Sequence, residues 1–179
     1  VLQKTPISLH CWQADDVIGF ERNEALSGGI QTTGNYPGRA RNVAEVRQDI
    51  EKVVSLLGGT FRLNLHETYG EFGSKFVDRD QCEPKHFTGW MQWAKEHNMK
   101  LDFNSTSFSH PKSGYLSLAN PDKEIRDFWI EHTKRCRRIA NAMGKYQGDP
   151  CIMNIWIHDG SKDYTVERSR YRQLLKDSL

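Results

Sequence analysis

Four segments of this chain repeat one pattern, with apolar residues on odd numbers and polar or ring-bearing residues on even ones. They cover 6–12, 61–66, 100–104 and 151–158. Ile7, Leu9 and Cys11 alternate with Ser8, His10 and Trp12, while Phe61, Leu63 and Leu65 alternate with Arg62, Asn64 and His66. Leu101 and Phe103 alternate with Asp102 and Asn104, and Met153, Ile155 and Ile157 with Asn154, Trp156 and His158. A strand has a side-chain period of two, so each segment reads as a strand with one apolar and one functional face. Helix-spaced residues follow every segment, which predicts parallel strands. A parallel sheet ordinarily buries apolar side chains on both faces. A polar second face repeated in each strand predicts the lumen of a barrel, where groups at the C-terminal strand ends line one pocket. The expected fold is α/β, a (β/α)8 TIM-type barrel of which residues 1–179 supply the first four βα units.

The helical segments carry their own punctuation. Asn42 is a good N-cap with Glu45 three residues on, the pattern of a capping box. Val43, Val46, Ile50, Val53, Val54 and Leu57 then hold one side until Gly58-Gly59. A second helix is predicted over 84–97, with Phe87, Trp90, Met91 and Ala94 on one stripe. A third opens at Asn120-Pro121, a cap followed by proline at the first helical position, and ends near Gly148. A fourth starts around 165. The connections entering strands are short, whereas those leaving strands (13–41, 67–83 and 105–119) are long. That asymmetry puts the elaboration on the C-terminal face, where barrels keep their active sites.

Composition excludes several classes. With 27% charged residues, a mean hydropathy of −0.72 and no long apolar run, no membrane span is expected. The net charge of +2 argues against a dedicated nucleic-acid binder. No signal-peptide pattern opens the chain, so a cytoplasmic location is expected. Cys11, Cys82, Cys136 and Cys151 form no Cys-x-x-Cys pair and read as reduced thiols. A closed barrel takes roughly 250 residues, more than the 179 here. The chain is therefore expected to be part of a larger polypeptide and inactive alone, and its outer strands to leave edges that associate with the missing half or with a second copy.

Some motifs have bland readings. The glycines of 28–38 match no phosphate-binding fingerprint and read as an ordered loop. Lys134-Arg135-Cys136-Arg137-Arg138 reads as the solvated side of a helix. Trp90, Trp93 and Trp129 read as packing residues. Trp12 and Trp156 differ, because each closes a strand on its lumen side near a histidine, where an indole can wall a sugar pocket and exclude water. His10, His66, His110 and His158 lie at or just beyond strand ends, accompanied by Asp15, Asp16, Glu67, Asp102 and Asp159. Convergence of several histidines on one rim points to acid–base or ligand work. Such mixed N/O groups suit Mn²⁺ or Zn²⁺, although no His-Glu-x-x-His spacing is present.

Particular strings then carry a family resemblance. Ser8-Leu9-His10-Cys11-Trp12-Gln13-Ala14-Asp15-Asp16-Val17, Gly28-Gly29-Ile30-Gln31, Thr33-Gly34-Asn35-Tyr36-Pro37-Gly38 and Arg62-Leu63-Asn64-Leu65-His66 resemble those of L-rhamnose isomerases. So do Glu83-Pro84-Lys85-His86-Phe87, Leu101-Asp102-Phe103-Asn104, Phe108-Ser109-His110-Pro111 and Met153-Asn154-Ile155-Trp156-Ile157. The resemblance runs in order along the chain. It implies a metal-dependent aldose–ketose isomerase that interconverts L-rhamnose and L-rhamnulose by a hydride shift, usually with Mn²⁺, as a tetramer. Metal ions suit the step by stabilising developing oxyanion charge. By the same resemblance Trp12 and Trp156 form the pocket wall, His66 is the catalytic candidate for ring opening or sugar-oxygen contact, and Asp102, Asn104 and His110 line the substrate edge of the third strand. The family's metal ligands, led by a Glu-x-Lys element, fall beyond Leu179, so no metal ligand is assigned here. His158 stands where the family pattern has proline, and Ser105-Thr106-Ser107 also diverges. Two rival readings are another xylose-isomerase-like metal-dependent barrel, whether sugar isomerase, epimerase or abasic-site nuclease, and a non-catalytic chain.

Overall fold

The computed structural model describes residues 6–10, 40–107, 110–159 and 166–179. Within them the four strand segments form a single parallel sheet in the order β1 (Ile7–His10), β2 (Phe61–His66), β3 (Lys100–Thr106) and β4 (Met153–Trp156). The register pairs Leu9 with Leu63, Leu63 with Leu101, and Phe103 with Met153, so like faces meet across the sheet. Helices α1 (Val43–Leu57), α2 (Thr88–Glu96) and α3 (Lys123–Gln147) form the crossovers, and α4 (Arg168–Ser178) follows β4.

Sequential order with crossovers of one hand puts every helix on the same side of a sheet. The packing agrees. Leu63, Leu65, Leu101 and Phe103 are buried in one cluster with Val46 and Ile50 of α1, Trp90 and Ala94 of α2, and Cys136, Ile139 and Met143 of α3. Each fully buried Val, Leu, Ile, Phe or Met among them contributes about 1.5–3 kcal/mol from area removed from water. The even-numbered residues are left on the opposite face, which no helix of this cluster covers. A smaller cluster of Leu118, Phe128 and Trp129 takes Leu175 of α4. The chain is thus an α/β protein with a four-stranded parallel sheet.

Local differences from the sequence reading have identifiable causes. Asn42 does cap α1, its side chain accepting from the Glu45 N–H at 3.0 Å. The reciprocal bond goes one residue earlier, because Glu45 Oε2 accepts from the Arg41 N–H at 2.7 Å while Arg41 Nη2 pairs with Oε1. Residues 84–97 divide into a 3₁₀ turn at Pro84–Phe87 and α2, with Phe87, Trp90, Met91 and Ala94 buried as the stripe implied. α3 begins later than Pro121: Asn120 Oδ1 accepts from the Asp122 N–H, and Asp122 is the cap, accepting from the Glu124 N–H. Its end at Gly148 agrees with the sequence, where φ of 62° suits a residue without a Cβ. β3 continues through Thr106, whereas the sequence reading began a loop at Ser105. β4 starts at Met153 rather than Cys151, since the Ile152 N–H is taken by the Asp102 carboxylate at 2.9 Å. Cys82, Cys136 and Cys151 are free thiols. In the basic run, Cys136 is buried while Lys134, Arg137 and Arg138 are exposed, as expected of a solvated helix side. Cys11, Trp12 and the loop at 28–38 lie outside the described residues.

Candidate active site at the strand ends

The C-terminal ends of β2, β3 and β4 bring three of the expected residues together. His66 ends β2, and its Cα partner across the ladder is Asn104 of β3. Asn104 presents Nδ2 to His66 Nε2 at 3.0 Å. Thr106 lies two residues further along β3, on the same face, and places Oγ1 2.9 Å from His66 Nδ1. Trp156, the ladder partner of Thr106, holds its ring 5.8 Å from the imidazole between centroids. The rings of His10 and Tyr69 flank His66 at 6.4 Å each. His66, Asn104 and Thr106 are buried, whereas Trp156 is 38% exposed. Burial, helped by the neighbouring His10 and Arg79, pushes the His66 pKa down to about 3. The imidazole is therefore neutral, with one nitrogen donating and the other accepting.

Behind this group lies a second polar cluster that sequence reasoning did not assemble. Glu67 follows His66 into a 3₁₀ turn and is fully buried. Arg79 Nη1 donates to Glu67 Oε1 at 2.8 Å and to the Thr106 carbonyl at 2.7 Å. His132 of α3 is buried beside them, with Nδ1 3.0 Å from the Arg79 carbonyl and Nε2 3.9 Å from Glu67 Oε1. Burial pushes the Glu67 carboxyl up to about 7, against the pull of Arg79 and of the Thr106 side chain. Burial also holds His132 down at about 3. In the sequence Glu67 stands out only as a neighbour of the histidine rim. Arg79 opens a 3₁₀ turn, Arg79–Gln81, capped by Asp78, and no short-range spacing links 67, 79 and 132.

The other candidates sit elsewhere. Asp102 is on the same face as Asn104 but toward the opposite end of the strand. Its oxygens accept from Arg62 Nη2 and Nε at 2.9 Å each, from Ser8 Oγ at 3.2 Å and from the Ile152 N–H. Burial alone would raise its pKa, but the Arg62 bonds and the Ile152 N–H outweigh that and hold it below the usual range. Arg62 also reaches Asp149 at 2.6 Å and the Pro150 carbonyl. Asp102 therefore clamps β1, β2, β3 and the entry to β4 together. His110 is occupied as well: Nδ1 accepts from the Lys112 N–H, Nε2 meets Asp78 Oδ1 at 3.1 Å, and the ring stacks on Phe128 at 4.8 Å. Its position in the smaller apolar cluster makes it a loop anchor. Asp159 likewise anchors a loop, accepting from Ser117 N, Ser117 Oγ and Ala119 N. Trp12 lies outside the described residues.

Among the described residues, no three or more His, Cys, Asp or Glu side chains stand together so as to hold a metal ion. The described residues therefore do not by themselves make up a Mn²⁺ centre. No helix among them is long and apolar enough to cross a membrane.

A parallel α/β sheet with a polar group gathered at its strand ends marks a protein of the class that carries its chemistry on the C-terminal face. Residues 1–179 match the family model described as L-rhamnose isomerase (RhaA), and the chain belongs to that family. It is 71% identical over 179 residues to the L-rhamnose isomerase of Bacteroides thetaiotaomicron, a match covering 99% of this chain and 43% of that one. It is 56% identical to the L-rhamnose isomerase of Mannheimia succiniciproducens, covering 100% of this chain and 43% of the relative. Against that of Salmonella gallinarum the identity is 52%, with 99% and 43% covered. The chain thus spans less than half the length of these curated relatives.

Proposed function

We propose that this chain forms part of a cytoplasmic, Mn²⁺-dependent L-rhamnose isomerase that interconverts L-rhamnose and L-rhamnulose, folded as a (β/α)8 barrel and working as a homo-oligomer. The observation that carries the reading is the grouping of His66, Asn104 and Trp156 at three adjacent strand ends, in a chain of this family. Helices on one face and polar side chains on the other support closure of the sheet around a lumen. Exposed Ile7 on β1, and Ile155 and Trp156 on β4, are apolar surface on the two outer strands that further strands or a second copy would cover. The metal ligands come from polypeptide outside the described residues, and the metal supplies polarisation of the sugar oxygens.

The residues present have definite parts. His66 is neutral, so its accepting nitrogen takes the hydrogen bond of a sugar hydroxyl whose proton leaves as the ring opens. Its low pKa makes it a transient acceptor: the proton taken from the anomeric hydroxyl passes on to the ring oxygen as the C–O bond of the ring breaks, and the imidazole ends neutral as it began. Asn104 orients the same oxygen, and Trp156, with Trp12, walls the sugar and excludes water. Asp102 and His110 take no part in substrate contact, because their hydrogen-bonding groups are already engaged.

The test is ketose formation from L-rhamnose with Mn²⁺, run on this chain and on the same sequence extended to the length of its relatives. Activity in the extended protein is expected, with His66→Asn lowering it about 10²–10⁴-fold, the usual worth of a positioned acid–base group. No ketose from the extended protein would overturn the reading.

A further inference from the structure

We infer that Arg79 is a positioning residue: its guanidinium stands in for a missing β2 N–H at the end of β3, and so holds the strand end that carries partners of both His66 and Trp156. The sugar-facing consequence rests on the reading of His66 and Trp156 as pocket residues of an isomerase. The geometry is independent of that reading.

The register creates the need. β2 stops at His66, whose ladder partner is Asn104, but β3 runs two residues further, to Thr106. The peptide unit between Thr106 and Ser107 sends its N–H to the Trp156 carbonyl on β4 at 3.3 Å. A trans peptide points its C=O the other way, here to the side of β2, where the chain has already turned into the 3₁₀ helix Glu67–Tyr69. A buried backbone carbonyl needs a donor. Arg79 Nη1 supplies it at 2.7 Å and gives Glu67 Oε1 a second hydrogen at 2.8 Å. Arg79, Glu67, Thr106 and Ser107 are all buried. One planar nitrogen with two hydrogens thus ties the residue that follows β2 to the last peptide unit of β3, a fixed fork that a rotating ammonium does not provide. Arg79 is itself held from two directions. Asp78 Oδ1 accepts from its N–H at 2.7 Å, and its carbonyl accepts from His132 Nδ1 of α3 at 3.0 Å.

The clamp acts on the pocket side of the sheet. Asn104 Nδ2 and Thr106 Oγ1, partners of the two His66 ring nitrogens, both project from this end of β3. Trp156 is the ladder partner of Thr106, and its carbonyl accepts from the same peptide unit whose oxygen Arg79 grips. A shift of the strand end therefore displaces the partners of the imidazole and the backbone of the indole together.

The experiment is amide hydrogen exchange by NMR on the full chain, comparing Ser107 with Phe103. Both N–H groups donate across the β3–β4 ladder, Phe103 to the Ile152 carbonyl at 2.9 Å. The variant is Glu67→Met/Arg79→Met, which removes both charges so that no buried carboxylate is left alone. Ser107 is expected to exchange about tenfold faster or more while Phe103 keeps its rate, the mark of a local opening. A general loss of stability moves both amides together, and that result, or an unmoved Ser107, overturns the inference. Should the variant fail to fold, the wild type decides. Nη1 hydrogens locked on two acceptors give separate, slowly exchanging signals, and one averaged signal overturns the inference. In the extended enzyme the double variant is expected to lower kcat about tenfold or more, the scale of a misplaced site, with Arg79→Lys recovering part of it. An unchanged kcat overturns the positioning role. If Ser107 behaves as stated but the extended wild type forms no ketose, the proposed isomerase activity falls while the clamp stands.

Discussion

The two ends of β2 and β3 solve the same problem in opposite ways. Each end places a polar residue of β2 against one two positions past its ladder partner on β3: Arg62 against Asp102 at the N-terminal end, His66 against Thr106 at the C-terminal end. At the lower end opposite charges meet directly. Asp102 is saturated by Arg62, Ser8 and the Ile152 N–H, and Arg62 is shared with Asp149. Nothing is left over for a ligand. At the upper end the inward groups are uncharged, and the charge is set back in the Glu67–Arg79 pair behind them. A matched ion pair closes the sheet, whereas a neutral ring with one lone pair can exchange a protein partner for a substrate hydroxyl. Polarity on the inner face is therefore not evidence of function until its partners are counted.

The sharpest break in this comparison is Arg62→Met, which leaves Asp102 buried without its cation. Loss of about 3–5 kcal/mol of stability is expected, read as a shift in the urea midpoint at constant m-value. Equal stability would mean the lower end is not a clamp.

Acid titration comes next. His66 and His132 have folded pKa values of about 3, below the unfolded value of about 6.5. Below about 6.5 the unfolded chain takes protons that the folded chain refuses, so stability falls as the pH drops toward about 3 and then no further on this account. Glu67 acts with opposite sign. Its folded pKa of about 7 lies above the unfolded value, so the stability it contributes is present at low pH and is lost as the pH rises through 7. Two histidines outweigh one carboxyl, and urea midpoints are expected to peak near pH 6.5 and decline on the acid side. A His132→Phe variant that folds should flatten part of that decline. An acid limb unchanged by this variant would show that His132 is not held neutral.

Thr106→Val should cost about 1 kcal/mol, the net worth of a typical buried hydrogen bond, against the several expected at Arg62. The smallest effect belongs to the exposed pair Lys123–Asp127, at 2.6 Å on the surface of α3. Lys123→Ala should change stability by less than about 0.5 kcal/mol, which differential scanning calorimetry can bound. A surface pair as costly to break as Arg62–Asp102 would remove burial as the reason for the contrast.

Much of the scaffold was legible because it rests on short-range rules. Period-two alternation marked Phe61–His66 as a strand, and Asn42 and Gly148 marked where helices begin and end, since cap chemistry depends only on the nearest backbone groups. The errors fell where a side chain took over a backbone group, once from far along the chain and once from a neighbouring residue. Asp102 captures the Ile152 N–H from 50 residues away and delays β4, and the Asp122 cap displaces Pro121 from the helix start. For the site, the strand-end histidine and asparagine were visible as residues, but Thr106 was read as loop and Arg79 was not singled out.

What the amino-acid sequence determined alone is the set of strands and helices, the division of each strand into an apolar and a polar face, and family membership carried by ordered strings. What only the tertiary structure decided is which polar residues are spent and which remain available. Asp102 and Asn104 are two positions apart on one strand and face the same way. One lies against a cation supplied by β2 at residue 62, the other against a neutral ring at residue 66. That difference is created by register between strands nearly 40 residues apart, and electrostatic and hydrogen-bond energies depend on such through-space distances, which local sequence does not encode.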